Sequence, residues 1–586
     1  MRNFANPSLR RGYPATVARL HQAPIYRFGR SAVAGFTNAS SFFLIASRPL
    51  LRWPVEATEV DVSEIVLKLF AASEHLQGLK QFIEATGKLL PPPTSAQAST
   101  YYDSQDQALC RTGLSLCLRE VDGKHLQTVR SANLPPGDPL SPSEWEDEIA
   151  GDQPDLAAPA TGPHLGAVAA ADQLRPLFTT ALKRTVLEVE SGSSGPIAAM
   201  VQEGEIRDSA SDAVESISEI ELKGGDCAAV YDLALRLLDI APLRIETRSL
   251  TERGYSLIVP GDRASPMHAK PVALSAGMTA EYVLQTIGQG CIGHLQSNEP
   301  AVLAGQAEGI HQMRVAARRL RAALSALKPM IPPEQYQWTL AELKWLAGAL
   351  APARNWDVFA DDLLQPVERA LPVEAELKRL AEAAEQRRRT AYEQAREAIT
   401  SRRYAATMLK LARWFATRGW RDQPASEQAV LLFAPIGEVA PALIERRWRR
   451  ARKRSRQFSK LSHQQRHKLR ISLKKLRYTI EFLEDLFDGH AVKALEKHLK
   501  PLQEDLGRLN DVHTAHQLVE EVSRHVNEGG SEISRAGGIV LGWHDRGLSD
   551  QEPKLRRDVS RMRRAKPFWP RSGWVYKLQV QRPTPP

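Results

Sequence analysis

The sequence is short of cysteine, of long apolar runs and, over one stretch, of acid. Its four cysteines, Cys110, Cys117, Cys227 and Cys291, have neither C-x-x-C spacing nor the density of a disulfide scaffold. That excludes a zinc ribbon and predicts reduced thiols in a cytosolic protein. The longest early apolar run, SFFLIA from Ser41, falls far below the ~18 residues a membrane-spanning helix needs. Between Arg446 and Ile480 there are fifteen Lys or Arg and no Asp or Glu. The imbalance is regional, with 26 basic against 33 acidic side chains in residues 1–280 and 52 against 35 in residues 281–586. A field of that sign attracts lipid, nucleic acid or condensed phosphate.

What is present divides the chain. Residues 1–55 hold eight arginines and no acid, the composition of an organellar presequence or of a start codon placed too far upstream, so residues 1–57 are set aside from fold reasoning. From 58 to 266 short segments alternate with period two: EIVLKLF at Glu64, LSLCLREV at Leu114, HLQTVRSA at His125, TVLEVES at Thr185 and ISEIELK at Ile217. Punctuated by Gly, Pro, Asp and Ser, they predict an antiparallel sheet or barrel, interrupted by one helix from Cys227. Residues 267–277 read as a linker. From 278 to 569 long amphipathic patterns rich in Ala, Leu, Arg and Glu predict an all-α domain, with 570–586 as a tail. The chain is expected to be an α+β multidomain protein.

The helical half repeats itself. HQMRVAARRLRAAL from His311 aligns with HKLRISLKKLRYTI from His467, pairing Arg314 with Arg470, Arg318 with Lys474, Arg319 with Lys475 and Arg321 with Arg477. About forty residues after each histidine comes a second match, RNWDVFA at Arg354 against RLNDVHT at Arg508. Two related helical halves account for both. Positions i, i+3, i+7 and i+10 share a helix face, so His311, Arg314, Arg318 and Arg321 form one stripe and His467, Arg470, Lys474 and Arg477 another, each ~15 Å long. No acid lies between Glu308 and Glu334, or between Glu445 and Glu481. Pairing within the helix is therefore not expected to neutralise either stripe.

These pieces, with ELKWLAGALAPARNWDVF from Glu342 and RAKPFW from Arg564, resemble a CHAD domain, the conserved-histidine α-helical domain built of two related bundles. The resemblance implies a basic channel that binds inorganic polyphosphate, lined by His311, Arg314, Arg318, Arg319, Arg321, His467, Arg470, Lys474, Lys475 and Arg477 and needing no cofactor.

The first half, through EIVLKL at Glu64, YYDSQDQAL at Tyr101, LCLREVDGKHLQTVR at Leu116, EWEDEI at Glu144, LFTTALKRT at Leu177 and SEIELKGGD at Ser218, is similar to the CYTH fold of triphosphate tunnel enzymes. The CYTH-then-CHAD order is that of a bacterial inorganic triphosphatase subgroup. The resemblance implies an eight-stranded tunnel in which Lys68, Arg119, Arg130, Arg184 and Lys223 contact tripolyphosphate, while Glu64, Glu146, Glu148, Glu219 and Glu221 hold Mg²⁺ or Mn²⁺. Departures stand against activity. The middle acid of E-x-E-x-K is Val66, Cys117 and Ala181 replace arginines, and Ala198 and Gln202 replace two acids.

The expectation is a cytoplasmic polyphosphate-binding protein, with polyphosphate granules as one location, whose CYTH-like domain is a weak binder or an impaired hydrolase. Active triphosphatase, nucleic-acid binding and a structural adaptor are the alternatives. The stripes lack interleaved aromatics, Tyr478 excepted, which disfavours base stacking. Imidazoles that titrate near ~6.5 predict tighter polyanion binding at pH 6 than at pH 8, carried by His311 and His467.

Overall fold

The structure, a computed structural model, describes residues 65–570 apart from 91–94, 122, 132–143, 167, 169, 171–172, 193–194, 259–264, 425 and 526–529. The arginine-rich extension, Glu64 and residues 571–586 lie outside the described residues. Ten strands form one antiparallel sheet: β1 (Ile65–Ala71), β2 (Gly87–Leu89), β3 (Ser95–Asp103), β4 (Leu114–Val121), β5 (Lys124–Ser131), β6 (Glu144–Ile149), β7 (Arg175–Glu190), β8 (Pro196–Asp208), β9 (Val214–Gly224) and β10 (Leu243–Ile245). The order is β10-β1-β9-β8-β7-β3-β4-β5-β6, with β2 also on β7. Among the described residues β10 and β6 are the two ends of this strand order, and the antiparallel CYTH-like sheet domain is as expected.

Alternation decides what each face of the sheet meets. In β1, Leu67, Leu69 and Ala71 are buried on one side. They pack with Leu76, Leu79 and Ile83 of helix α1 (Ser73–Thr86) and with Val230, Leu233 and Leu237 of α2 (Cys227–Ile240). α2 starts where the sequence predicts, capped by Asp226, whose Oδ1 accepts from Ala228 N at 2.8 Å. The reading of a single helix in this half is corrected by α1 and by α3 (Leu250–Ile258). Leu76, Leu79 and Ile83, one face of α1, carry the helical period that the surrounding alternation masked.

Residues 280–564 are helical as expected. The longer helices are α4 (Ala280–Gln296), α5 (Ala307–Leu327), α6 (Pro333–Ala349), α7 (Ala375–Thr400), α8 (Arg402–Ala416), α9 (Ile436–Arg454), α10 (His463–Leu483), α11 (Gly489–His525) and α12 (Gly530–Arg564). α10 opens with a capping box between Ser462 and Gln465, which fixes where the second stripe begins. No helix among the described residues is long and apolar enough to cross a membrane.

The two folds meet across more than a linker. Ala405 and Leu409 of α8 are buried in the same apolar cluster as Leu233 and Leu237 of α2. At the rim Arg413 Nε and Nη2 donate to the two carboxylate oxygens of Asp232 at 2.8 and 3.0 Å. Arg402 Nε donates to the Leu238 carbonyl at 3.2 Å.

Candidate anion-binding pocket

The repeated helices α5 and α10 pack against each other, and a pocket of about 480 Å³ opens between them. His311, Arg314 and Arg318 enter it from α5, and Arg470, Lys474 and Arg477 from α10. Two further elements close it. The short helix Ala351–Asp357 supplies Arg354 and Asn355 and then widens into a π turn, Val358–Leu364, whose Val358, Phe359 and Leu363 line the wall. α11 supplies Asn510 and Asp511. The second repeated motif therefore lines the same pocket as the stripes, and these four polar residues are functional candidates that the sequence reading did not select. The signal was the match between RNWDVFA and RLNDVHT. The symmetry is broken in use, because Asp357 is taken up by Arg388 at 2.9 Å and Tyr392 at 2.8 Å while Asp511 faces the pocket.

Five guanidiniums and the Lys474 amine thus stand around one carboxylate among the described lining residues. Asp511 lies 3.8 Å from Arg470. Arg314 Nη1 donates to the Ala347 carbonyl at 2.7 Å, and the Nε atoms of Arg318, Arg470 and Arg477 are buried with no hydrogen-bond partner among the described residues. Burial, reinforced by Arg318, Arg354 and Arg470, pulls Arg314 down to about 10. Burial and then Arg470 and Arg318 pull Lys474 down to about 6. Burial and then Arg354 hold His311 at about 4. Desolvated like charges destabilise one another, and a bound anion relieves them.

In the empty pocket His311 is thus held largely neutral at both pH 6 and pH 8. The pH-sensitive cation is Lys474. Other residues expected in the lining lie elsewhere. Arg319 is buried in an ion pair with Glu481 and stacks 4.8 Å over Phe482, sealing α5 to α10 outside the pocket. Glu481 also lies 3.6 Å from Arg477, so the second stripe does find one acid on its own helix. Arg321 and Lys475 are outside the lining. Lys475 joins Arg447, Arg450, Arg321 and Arg454 in a neighbouring cationic cluster, where burial and those guanidiniums lower it to about 8. His467 stands behind the wall, its Nδ1 2.6 Å from Asn510 Oδ1.

In the sheet, register puts Val66, Lys68, Arg119, Arg130, Arg184, Lys223, Glu146, Glu219 and Glu221 on one face, together with Ala198 and Gln202. Ala181 is on the other face beside Lys183, which pairs with Glu203 at 3.4 Å, so it does not mark an arginine lost from within. Part of the inner face is filled. Tyr101, Cys117, Phe178, Leu182, Ile206 and Ile217 pack with Tyr255 and Leu257 of α3. Arg253 of α3, 2% exposed, pairs with Glu219 and with Glu215 at 2.7 Å. Nothing in the sequence pattern flagged Arg253.

The carboxylates expected to hold Mg²⁺ or Mn²⁺ are engaged with cations. Glu219 meets Arg253, Glu146 meets Arg119, Glu221 lies 3.6 Å from Lys68 and Glu148 lies 2.7 Å from Lys124 at the exposed rim. No group of three His, Cys, Asp or Glu gathers as a metal site among the described residues. Acids each engaged by a cation leave few oxygens for a hard cation that requires several convergent ones.

Comparison with known proteins agrees with this division. The CYTH domain family matches residues 63–255 and the CHAD domain family residues 286–520. The uncharacterized proteins MT2285 and Rv2226 of Mycobacterium tuberculosis are each 29% identical over 191 residues, covering 30% of this chain and 35% of theirs. The chain thus spans about a third of the length of these curated relatives. Among solved structures, the CHAD domain from the plant Ricinus communis has a TM-score of 0.45 at 26% identity, covering 52% of this chain and 99% of that one. HpAC1 from Hippeastrum, described as having a dominant triphosphatase activity, has a TM-score of 0.26 at 16% identity, covering 34% and 98%. With an antiparallel sheet under the first match and helices under the second, the chain carries a CYTH domain followed by a CHAD domain.

Proposed function

We propose that this protein binds inorganic polyphosphate in the pocket between α5 and α10. The observation that carries this reading is the convergence of Arg314, Arg318, Arg354, Arg470, Lys474 and Arg477 around a single lining carboxylate, Asp511. Buried cations without counter-ions are costly, and an anion that is charged along its length satisfies several at once. A linear phosphate chain suits the two lining runs, His311 to Arg318 and Arg470 to Arg477, each ~10.5 Å long. Nucleic acid suits them less. The two aromatic residues of the lining, Phe359 and Tyr478, are 1% and 4% exposed and offer no open face to a base. On this reading the protein works in the cytoplasm where polyphosphate accumulates, including its granules, and the CYTH domain is a partly degenerate partner. The test is a titration of the full chain with polyphosphate of defined length, with single-stranded RNA as competitor. Saturable binding that RNA fails to displace supports the reading, and RNA that binds equally well refutes it.

A further inference from the structure

The pocket between α5 and α10 holds an amine placed to act as a nucleophile. Lys474 stands one turn along α10 from Arg470 and from Arg477. It shares the cavity with Arg314, Arg318 and the largely neutral His311 of α5 and with Arg354 of the short helix. The one acid of the lining, Asp511 of α11, lies 3.8 Å from Arg470. Lys474 itself has no hydrogen-bond or salt-bridge partner among the described residues. A guanidinium keeps its proton at neutral pH even when crowded, so the lysine is the group that yields. Burial first, and then Arg470 and Arg318, leave most of the amine unprotonated at pH 7.5. A desolvated amine beside other cations is a nucleophile at that pH.

The rest of the cavity fits an electrophile of one kind. Arg318, Arg470 and Arg477 have Nε atoms without partners and are suited to a phosphate. Val358, Phe359 and Leu363 form an apolar wall, and the volume, about 480 Å³, is that of a small-molecule site. A short acyl phosphate satisfies both walls, and its carbonyl carbon lies one oxygen away from the phosphorus.

We propose that the pocket is a self-acylation site, in which Lys474 takes the acyl group from an acyl phosphate held by Arg318, Arg470 and Arg477. The Nζ lone pair attacks the carbonyl carbon, an N–C bond forms and the C–O bond to phosphate breaks. Phosphate leaves with that electron pair and takes up the proton the amine loses, so the products are an amide and hydrogen phosphate. The amide is uncharged, and acylation therefore takes one cation out of the pocket. The step needs the pocket's cations but not polyphosphate binding, so either proposal can fail alone.

The test incubates the full chain, washed free of polyanion at high salt, with acetyl phosphate at pH 7.5 and follows each lysine by peptide mass spectrometry. Lys474 is expected to be acetylated at least about tenfold faster than the exposed Lys344 and Lys378. Between pH 7 and pH 9 its rate should stay nearly flat, whereas theirs should climb about tenfold per unit, because an ordinary lysine titrates near ~10.4. Arg318→Ala should slow Lys474 towards the exposed lysines. Excess inorganic phosphate, which needs no substitution, should do the same. With N-hydroxysuccinimidyl acetate, an acetylating reagent that carries no phosphate, the preference for Lys474 should shrink. Acetylation of Lys474 no faster than that of Lys344 and Lys378, an equal preference with both reagents, or a rate that inorganic phosphate leaves unchanged overturns the proposal.

Discussion

His467 Nδ1 lies 2.6 Å from Asn510 Oδ1, so the histidine that opens the second stripe is tied to the second repeated motif, 43 residues further along. Asn510 lines the pocket while His467 stands behind it, which makes the histidine a positioning residue. Asn510→Ala removes an acceptor worth about 0.5–1.5 kcal/mol. Polyphosphate affinity should fall by roughly two- to tenfold, measured by titration at constant pH.

Charge reversal separates pocket from structure. Arg314→Glu and Arg470→Glu each remove a charged contact of about 1.5–3 kcal/mol and should each weaken polyphosphate binding at least about tenfold. Arg319→Ala, which leaves Glu481 without its buried partner, should instead lower the midpoint of thermal unfolding. If the two reversals leave affinity unchanged in folded protein, the stripes are ordinary helix surface.

The pH dependence belongs to Lys474. In the empty pocket it loses its proton near pH 6, against an ordinary 10.5, whereas a bound polyanion favours the charged form. Binding above about pH 6 therefore takes up a proton, and affinity should be higher at pH 6 than at pH 8. Lys474→Met should flatten the profile, while His311→Ala should leave it largely in place. Stability of the free protein runs the other way. The unfolded chain holds the proton up to about 10.5, so this group's contribution grows more favourable from pH 6 towards 10.5 and is least favourable below 6. Chemical denaturation across that range measures the slope, and saturating polyphosphate should reduce it.

Leu409, 1% exposed, carries α8 into the sheet domain's outer apolar cluster. Leu409→Ala should cost about 2–5 kcal/mol by leaving a cavity there. Denaturant unfolding gives the value, and a cost below about 0.5 kcal/mol would mean that the two domains barely depend on this contact.

Much of this was legible because it is periodic. The CYTH resemblance grouped Arg119, Arg130 and Arg184 with Glu219 and Glu221, which the register then puts on one face, and helical spacing placed His311, Arg314 and Arg318 together. Arg319, which the CHAD resemblance placed in the lining and helical spacing left off the stripe, pairs with Glu481 outside the pocket. The lowered pKa of His311 was hidden for another reason. Burial, and then Arg354 from 43 residues away, lower it, and both arise only through packing. Likewise no local pattern tells that Glu219 is met by Arg253 from α3.

The shared core of α2 and α8 ties the fates of the two domains together. Because Leu409 and Ala405 complete a cluster that Leu233 and Leu237 begin, separating the domains exposes apolar surface that neither can cover alone. Unfolding should then be cooperative across the chain rather than stepwise. A ligand held only by the helical pocket should, by mass action on that common equilibrium, also slow protease cleavage within the sheet domain, which it never touches.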